Sequence, residues 1–287
     1  MAPPTPVWFI TGASSGFGKY MALEALSRGH KVIASARSSS KMADLAEKGA
    51  DTITLDVTAP LPELQKIAKE ANNKYGHVTH LVNAAGYLLI GAVEETSPKE
   101  DYDHFNTNVF GMLNVSKAFI PYLRATSGEK TISNFGSLAS WVGGAGYTLY
   151  TGTKWACSGI SEAMRAELES FDIKVTVIEP GYFRTGFLRA EAKLSSAVRL
   201  KEYDDTQVGQ LRAGLSTMHN KQLGDVAKGS KILVDILTHT GLAEGKDVPV
   251  RVALGSDAPT TIRRKMQATE ALLSEWDSIT TTTDHES

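Results

Sequence analysis

Short apolar runs rich in β-branched residues alternate with amphipathic stretches along most of this 287-residue sequence. That alternation is typical of βαβ units, in which parallel strands form a sheet and helices cover both of its faces. Seven runs have the length and composition of strands: 7–10, 31–36, 52–55, 80–83, 131–136, 174–180 and 248–254. We therefore predict an α/β fold with a doubly wound, seven-stranded parallel sheet.

The composition favours a globular fold and a small-molecule partner. Hydrophobic residues make up 42% and charged residues 22% of the chain, as in ordinary globular proteins. No internal repeat, low-complexity tract or linker divides the sequence, so we expect one domain over residues 1–287. The formal net charge of −2 gives no electrostatic reason to expect a nucleic acid or an anionic membrane as partner.

Cysteine and histidine usage predicts neither a disulfide nor a metal site. Cys157 is the single cysteine, and the seven histidines lack cysteine or carboxylate companions at ligand spacing. No run reaches the roughly 18 apolar residues of a membrane span, and the N-terminal residues lack the basic region of a signal peptide. We expect a cytoplasmic protein with no membrane span.

A glycine-rich turn joins the first predicted strand directly to a helix. Thr11, Gly12, Gly16 and Gly18 form the pattern T-G-x-x-x-G-x-G. Glycine permits a tight turn and close approach of the backbone, and the free amides at the start of the helix favour a phosphate. The pattern predicts a dinucleotide site of the Rossmann type, although such glycines also serve simply to let a strand and a helix pack. The other residues assigned to this loop are Ser14, Ser15 and Phe17.

The end of the second predicted strand bears on the choice of nucleotide. Enzymes that prefer NAD place an acidic residue there for the ribose 2′-hydroxyl, whereas an arginine accommodates the 2′-phosphate of NADP. This chain has Arg37 followed by Ser38 and no carboxylate. The position therefore predicts NADP(H). The alternative is that Arg37 is an ordinary solvated loop residue.

Tyr150 and Lys154 lie four positions apart in a predicted helix, so they share one face. A free phenol has a pKa of about 10, too high for a base near neutral pH. A nearby positive charge favours the ionised phenol, so we expect Lys154, together with the positive charge of bound oxidised nicotinamide, to lower the pKa of Tyr150 and to make it an acid/base group. Taken alone, the pair is also common on solvated helix faces.

Together these motifs resemble the short-chain dehydrogenase/reductase family. The glycine loop, an N-A-A-G turn, a serine and the Y-x-x-x-K pair occur in the family's order between Thr11 and Thr185. The resemblance implies a single Rossmann-type domain that binds NADP(H) and transfers hydride to or from a carbonyl or alcohol. Further cofactor contacts are implied at Asp56, Val57, Asn83, Ala84, Ala85, Gly86, Pro180, Gly181 and Thr185. The implied catalytic residues are Asn108, Ser137, Tyr150 and Lys154, and Asn108, Tyr150 and Lys154 also count as cofactor contacts.

The resemblance also implies a role for each catalytic residue. Ser137 lies thirteen residues before Tyr150, as the family's serine does, and its hydroxyl is expected to bind the substrate carbonyl. Ser140 is the local competitor for that role. Asn108 is expected to hold a water that links Lys154 to solvent, and its alternative role is to satisfy a buried backbone group. Thr185 is expected to contact the nicotinamide carboxamide.

Residues beyond Thr185 point to an apolar substrate. Segment 186–223 alternates apolar and charged residues, as expected of a helical lid over a cleft or of a plain surface subdomain. The expected wall positions are Leu88, Leu89, Ile90, Trp141, Val142 and Tyr147. We expect an apolar ketone, aldehyde or alcohol as substrate, and the chain looks like the hydroxysteroid and retinol dehydrogenase-like members of the family.

Two other functions and one assembly question stay open at the level of sequence. The same fold and tyrosine serve non-redox steps such as isomerisation, dehydration or cyclisation, and a nucleotide-binding sensor keeps the fold without turnover. The family often forms homodimers or homotetramers through the helices that bear Asn108 and Tyr150, and either assembly is possible for this chain. Segment 259–278 predicts an amphipathic helix that either caps the pocket or contacts a partner subunit.

Overall fold

The computed structural model describes residues 5–185, 193–218 and 221–285. Its strands, in chain order, are Val7–Thr11 (β1), Lys31–Ala36 (β2), Asp51–Thr54 (β3), His80–Asn83 (β4), Leu88–Ile90 (β5), Lys130–Phe135 (β6), Ile173–Pro180 (β7), Lys193–Ser195 (β8) and Arg251–Leu254 (β9). Its α-helices are Gly16–Ser27 (α1), Ala43–Glu47 (α2), Leu61–Tyr75 (α3), Pro98–Phe105 (α4), Met112–Ala125 (α5), Thr148–Leu168 (α6), Gln207–Met218 (α7), Val226–Leu237 (α8) and Asp257–Thr280 (α9).

Seven of these strands form one parallel sheet in the order β3-β2-β1-β4-β6-β7-β9. The chain winds outward from β1 in one direction and then from β4 in the other, so the order reverses between these two neighbours. The predicted doubly wound α/β fold is therefore confirmed. In such sheets, ligands bind outside the carboxyl ends of the strands at this reversal. The last strand is shorter than predicted, because only Arg251–Leu254 pairs with β7.

Two apolar cores hold the helices against the two faces of the sheet. On one face, Met21 of α1 and Leu233 of α8 pack with Trp8 and Val32 of the sheet. On the other face, α3, α5 and α6 pack against the sheet through residues that include Phe119 of α5. The inner strands β1, β2, β4, β6 and β7 are buried on both faces, which explains why they read in sequence as continuous apolar runs rather than as alternating patterns.

Two features of the chain go beyond the predicted elements. β5 and β8 form a separate two-stranded parallel sheet, which ties the chain after the N-A-A-G turn to the segment beyond Thr185. Between α4 and α5, residues Asn106–Gly111 form a π-helical turn. Such turns are frequent at functional sites.

The predicted lid segment, 186–223, is described only in part. Residues 186–192 and 219–220 lie outside the described residues, and the rest contains β8, a 3₁₀ turn at Lys201–Tyr203 and α7. Across the part of the chain that the structure describes, no helix combines the length and the apolar character needed to cross a membrane.

Candidate active site

A cavity of about 1070 Å³ opens at the carboxyl ends of the strands, where the strand order reverses. Its wall includes most of the residues that the sequence assigned to the nucleotide. These are Thr11, Gly12, Ser14, Ser15, Gly16, Phe17, Gly18, Arg37, Asp56, Val57, Ala84, Ala85, Gly86, Pro180, Gly181 and Thr185, together with Tyr150, Lys154 and Ser137. Residues from six strand ends or turns therefore meet at a single site.

The glycine loop after β1 is shaped by close backbone contacts. A Cβ atom on Gly18 would lie 2.8 Å from the carbonyl oxygen of Gly12, and a Cβ on Gly12 would lie 2.8 Å from the backbone of Ala84. Gly12 also has a φ of 66°, which glycine adopts without strain. These positions leave the backbone amides at the start of α1 open to the cavity, as a bound pyrophosphate requires.

Thr11 ties the first loop to the N-A-A-G turn. Its hydroxyl accepts hydrogen bonds from the backbone amides of Ala84, at 3.1 Å, and Ala85, at 3.2 Å. The Asn83 side chain points beneath the sheet end, where its amide donates to Asn134 at 2.8 Å and to Ser116 at 3.0 Å. Asn83 thus positions the turn and does not line the cavity.

Three predicted contact residues lie outside the cavity wall. Asn83 is buried under the turn; the hydroxyl of Ser38 lies 2.8 Å from that of Ser40 on the surface; and Asn108 is buried in the π-helical turn. Arg37 stands exposed at the end of β2 and lines the cavity, as does Lys41. Lys41 was missed because nothing in the sequence marks it as different from other surface lysines.

Asn108 holds the backbone of Tyr87 with both ends of its amide. Its Oδ1 accepts from the Tyr87 amide at 3.1 Å, and its Nδ2 donates to the Tyr87 carbonyl at 2.9 Å. Nδ2 also lies 3.3 Å from Oγ1 of Thr153. The Asn108 side chain thus satisfies both buried backbone groups of Tyr87, and its expected role in holding a water stays a prediction.

Tyr150 and Lys154 lie on the inner face of α6, and both are buried against the cavity wall. Lys154 Nζ lies 5.5 Å from the centre of the Tyr150 ring and donates a 2.6 Å hydrogen bond to the carbonyl of Phe135. Burial raises the pKa of Tyr150 to about 12, and the hydrogen bond with Ser137 opposes that rise. Burial likewise lowers the pKa of Lys154. In the chain alone, burial is the largest influence on the pKa of Tyr150 and outweighs the hydrogen bond with Ser137. The lowering expected from Lys154 together with bound oxidised nicotinamide stays a prediction.

The two candidate serines occupy different positions. Ser137 follows β6, lines the cavity and hydrogen-bonds to Tyr150. Ser140 is buried, donates to the backbone carbonyl of Lys154 at 2.9 Å and accepts from the Ser137 amide at 3.2 Å. Ser140 therefore links the backbone of Ser137 to the backbone of Lys154. Ser137, by contrast, is placed to contact a ligand in the cavity.

His104 is a neighbour of the site that sequence reasoning missed. The fully buried ring stacks on Tyr87, with centroids 4.8 Å apart, and faces Tyr150 at 6.2 Å. Burial, with a smaller contribution from the charge of Lys154, lowers its pKa to about 4. The imidazole is therefore neutral near pH 7 and packs behind the phenol. Its place on α4, four residues before Asn108, carried no signal that distinguishes it from a surface histidine.

The remaining wall near Tyr150 is apolar. Leu88, Ile90, Leu215 and Ala139 form a buried cluster with Tyr150, against which Tyr147 and Leu211 pack. The predicted wall residues Leu88, Ile90, Val142 and Tyr147 do line the cavity. Leu89 and Trp141 do not: Leu89 points into the protein, and the Trp141 indole donates to buried Glu179 at 2.7 Å.

A buried ion pair holds α7 over the cavity. Glu95, fully buried, accepts hydrogen bonds from the amides of Ala92, at 2.6 Å, and Leu200, at 2.9 Å, and pairs with Arg212 of α7. Burial alone would raise the pKa of Glu95, but these amides and the guanidinium hold it below its ordinary value. Glu95 thus joins three segments of the chain, at Ala92, Leu200 and Arg212.

The parallel doubly wound sheet, with a glycine-lined cavity at its point of reversal, defines a nucleotide-binding α/β protein. A family model described as short chain dehydrogenase matches residues 6–194. The oxidoreductase BOA17 of Botryotinia fuckeliana (strain B05.10) is 32% identical over 258 residues, which cover 88% of this chain and 90% of that protein. This chain belongs to the short-chain dehydrogenase family of oxidoreductases.

Solved structures agree with that assignment. A short-chain dehydrogenase from Streptomyces avermitilis superposes with a TM-score of 0.87 at 33% identity, covering 98% of this chain and 100% of that one. A short chain dehydrogenase from Burkholderia cenocepacia J2315, solved in complex with NADP, has a TM-score of 0.71 at 22% identity and covers 96% and 98% of the two chains. The second likeness shows the shared fold.

Proposed function

We propose that this protein is an NADP(H)-dependent oxidoreductase that interconverts an apolar ketone or aldehyde with its alcohol, with Tyr150 as the acid/base group. One observation carries the proposal. Tyr150 and Ser137 stand together in the cavity wall where glycine-loop residues and an apolar cluster face the same space. The glycine loop suits a nucleotide and the apolar cluster suits an apolar carbonyl compound. Both surfaces line the cavity that contains Tyr150, the proposed proton donor.

The glycine loop fits a pyrophosphate, because Cβ atoms at Gly12 and Gly18 would collide with backbone that forms the cradle. Arg37, with Lys41 on the same wall, supplies cations suited to a 2′-phosphate, and no acidic residue replaces Arg37. When bound, the nicotinamide supplies or accepts the hydride at the substrate carbon. Thr185 and Pro180 line the cavity and would contact that end of the nucleotide.

The chain's own residues handle the proton and the substrate oxygen. Tyr150, protonated at neutral pH because burial raises its pKa to about 12, gives its proton to the oxygen during reduction. The Ser137 hydroxyl, hydrogen-bonded to the same phenol, is placed to donate to that oxygen and to stabilise the charge that develops there. In oxidation the phenolate takes the proton back.

The substrate class follows from the wall. The cavity wall around Tyr150 is formed by four aliphatic side chains, Leu88, Ile90, Leu211 and Leu215. The hydroxyls of Tyr147 and Tyr182 offer a substrate few polar partners there. A sugar or an acid would leave its polar groups unpaired there, at a cost of about 1–3 kcal/mol each. We extend the proposal to a single domain, a cytoplasmic location and a homo-oligomeric state like those of the family.

The test is consumption of NADPH, followed by its near-ultraviolet absorbance, against a panel of apolar ketones and aldehydes with NADH in parallel. Tyr150→Phe should lower turnover by about 10²–10⁴-fold, the usual contribution of acid/base catalysis, while NADPH still binds. Tyr20→Phe, at a partly exposed tyrosine on α1, is the matched control and should keep full activity. Tight NADPH binding without consumption would instead favour a non-redox step or a sensor, which product analysis would separate.

A further inference from the structure

The last helix, α9, extends away from the rest of the protein. In its first two turns Ala258 and Ile262 are buried, but every residue from Arg263 to Thr280 is exposed. At 1.5 Å per residue this exposed part is about 27 Å long. In proteins most of the stability of a helix comes from packing of an apolar face rather than from the helix propensities of its residues. A partner surface for α9 is therefore expected.

One side of α9 carries a seam with the spacing of a coiled coil. We define the seam as the residues three and four apart that begin with the buried Ile262: Ile262, Met266, Thr269, Leu273, Trp276 and Thr280. Met266, Leu273 and Trp276 are 57%, 62% and 49% exposed. Leu272 and Ile279 flank the seam and are also exposed. Alternating spacings of three and four are those of helices that pack in pairs.

Cations and anions are separated along the exposed part of α9, from Arg263 to Thr280. The consecutive cations Arg263, Arg264 and Lys265 lie next to the body of the protein, whereas Glu270, Glu275 and Asp277 lie farther out. Two copies of α9 in parallel would bring like charges to the same level. Two antiparallel copies bring the cationic half of each helix beside the acidic half of the other. Opposite charges across an interface select one orientation over another.

We propose that α9 pairs antiparallel with α9 of a second copy of this chain. The register that centres the exposed seam positions 266–276 on those of the second copy sets Met266 opposite Trp276 of the second copy and Thr269 opposite Leu273. Arg263 then lies beside Asp277 of the second copy. The two Glu270 side chains approach each other near the centre, which is the single like-charge approach in this register.

The same surface fits a lipid bilayer less well. Helices that lie in a membrane interface carry lysine and arginine along their polar face, since these residues attract anionic headgroups. Here the exposed helix carries Glu270 near its middle and Glu275 and Asp277 in its outer half, and its cations are confined to one turn beside the protein body. An anionic surface would repel the half of the helix that reaches farthest.

Cysteine pairs test both contact and orientation in the full-length protein. Met266→Cys and Trp276→Cys variants, mixed and oxidised with copper phenanthroline, should form a disulfide between the two different chains, while each variant alone forms little. Gln267→Cys mixed with Ser274→Cys is the matched control. These two positions lie at nearly the same levels along the paired helices as Met266 and Trp276, but on the face of α9 that points away from the seam. Cys157 is buried, so the unaltered chain serves as background.

Charge reversal provides an independent readout by sedimentation velocity. Arg263→Glu, Arg264→Glu and Lys265→Glu together should weaken self-association at least tenfold, as should Glu270→Lys, Glu275→Lys and Asp277→Lys together. A mixture of the two triple variants should restore association, and Glu270→Gln alone should strengthen it. Cross-links in Met266→Cys alone, or yields no higher than the outer-face control, would overturn the proposal. So would binding to vesicles of phosphatidylcholine and phosphatidylserine without cross-links between chains.

Discussion

The Lys154 ammonium lies 5.5 Å from the centre of the Tyr150 ring, yet its 2.6 Å hydrogen bond goes to the backbone carbonyl of Phe135. The spacing of the two residues placed them on one helix face, but burial decides the protonation of the phenol. With its pKa raised to about 12, Tyr150 is an acid near neutral pH. A positive charge brought close to the phenol by a ligand would favour its ionised form.

The raised pKa of Tyr150 predicts different pH profiles for the two directions of the reaction. Carbonyl reduction needs the protonated phenol, so its kcat should vary little from about pH 6 to pH 9. Alcohol oxidation needs the phenolate and should become faster as the pH rises through that range. Initial rates in both directions would test this. An oxidation rate that reaches its plateau below about pH 7 would show that the phenol is already ionised in the working complex.

Arg37 should set the choice of nucleotide. Arg37→Asp replaces a cation with a carboxylate that repels a 2′-phosphate and accepts from a 2′-hydroxyl, so the ratio of kcat/KM for NADPH to that for NADH should fall by about 10–100-fold or more. Lys19→Asp, at a half-buried lysine of α1 that pairs with Asp44, is the control for a changed charge elsewhere. Equal ratios in the two variants would mean that Arg37 is only a solvated loop residue.

A substitution at Gly18 tests whether the close backbone contacts of the glycine loop are needed for nucleotide binding. In Gly18→Ala the new Cβ would lie 2.8 Å from the Gly12 carbonyl, which is backbone and cannot move aside without reshaping the loop. We expect NADPH affinity to fall at least tenfold and stability to fall by about 1–3 kcal/mol. Gly159→Ala, in α6 with nothing within 4 Å of the new Cβ, should be neutral or slightly stabilising. Urea unfolding measures the stability of each variant, and nucleotide titration measures its NADPH affinity. Equal effects of the two variants would contradict the claim that the close contact at Gly18 shapes the nucleotide-binding loop.

The pair of Glu95 and Arg212 should matter both for stability and for substrate binding. Arg212→Met leaves the buried carboxylate of Glu95 without its cation, which typically costs about 3–5 kcal/mol. Because α7 contributes Leu211 and Leu215 to the wall, KM should rise more than kcat falls. Arg199→Met removes an exposed pair with Asp204 from the same segment and should change the free energy of unfolding by less than about 1 kcal/mol. Similar losses in both variants would refute a special role for the buried pair.

Much of the site was predictable because parallel strands end at one edge of the sheet. A loop after β1 and a turn after β4 must meet there, so residues recognised along the sequence, such as Gly12 and Ala85, lie together in the cavity wall. Contacts between distant side chains were not predictable. Glu95 and Arg212 are 117 positions apart, and no local pattern marks either of them. The π-helical turn around Asn108 likewise leaves no signal in composition or periodicity.

Buried histidines should make the protein sensitive to mild acid. The His80 ring stacks on Trp8 with ring centroids 4.2 Å apart, and its Nε2 atom lies 3.0 Å from the carbonyl oxygen of Leu237. Burial lowers the pKa of His80 from 6.5 to about 4. The unfolded chain therefore takes up a proton first as the pH falls. The stability contributed by neutral His80 is complete above pH 6.5 and is lost as the pH falls toward about 4.

Urea unfolding at several pH values measures this loss as a slope. Between pH 6.5 and 5 the free energy of unfolding should fall by about 2 kcal/mol for each histidine buried in this way, and His104 contributes in the same direction. His80→Gln should reduce the slope by less than about half, whatever it does to the stability at pH 7.5, because burial also lowers the pKa values of His104 and His30, which remain. His285→Gln changes an exposed histidine near the end of the chain and should leave the slope unchanged. A slope that is the same in all three proteins would mean that other groups govern the acid sensitivity.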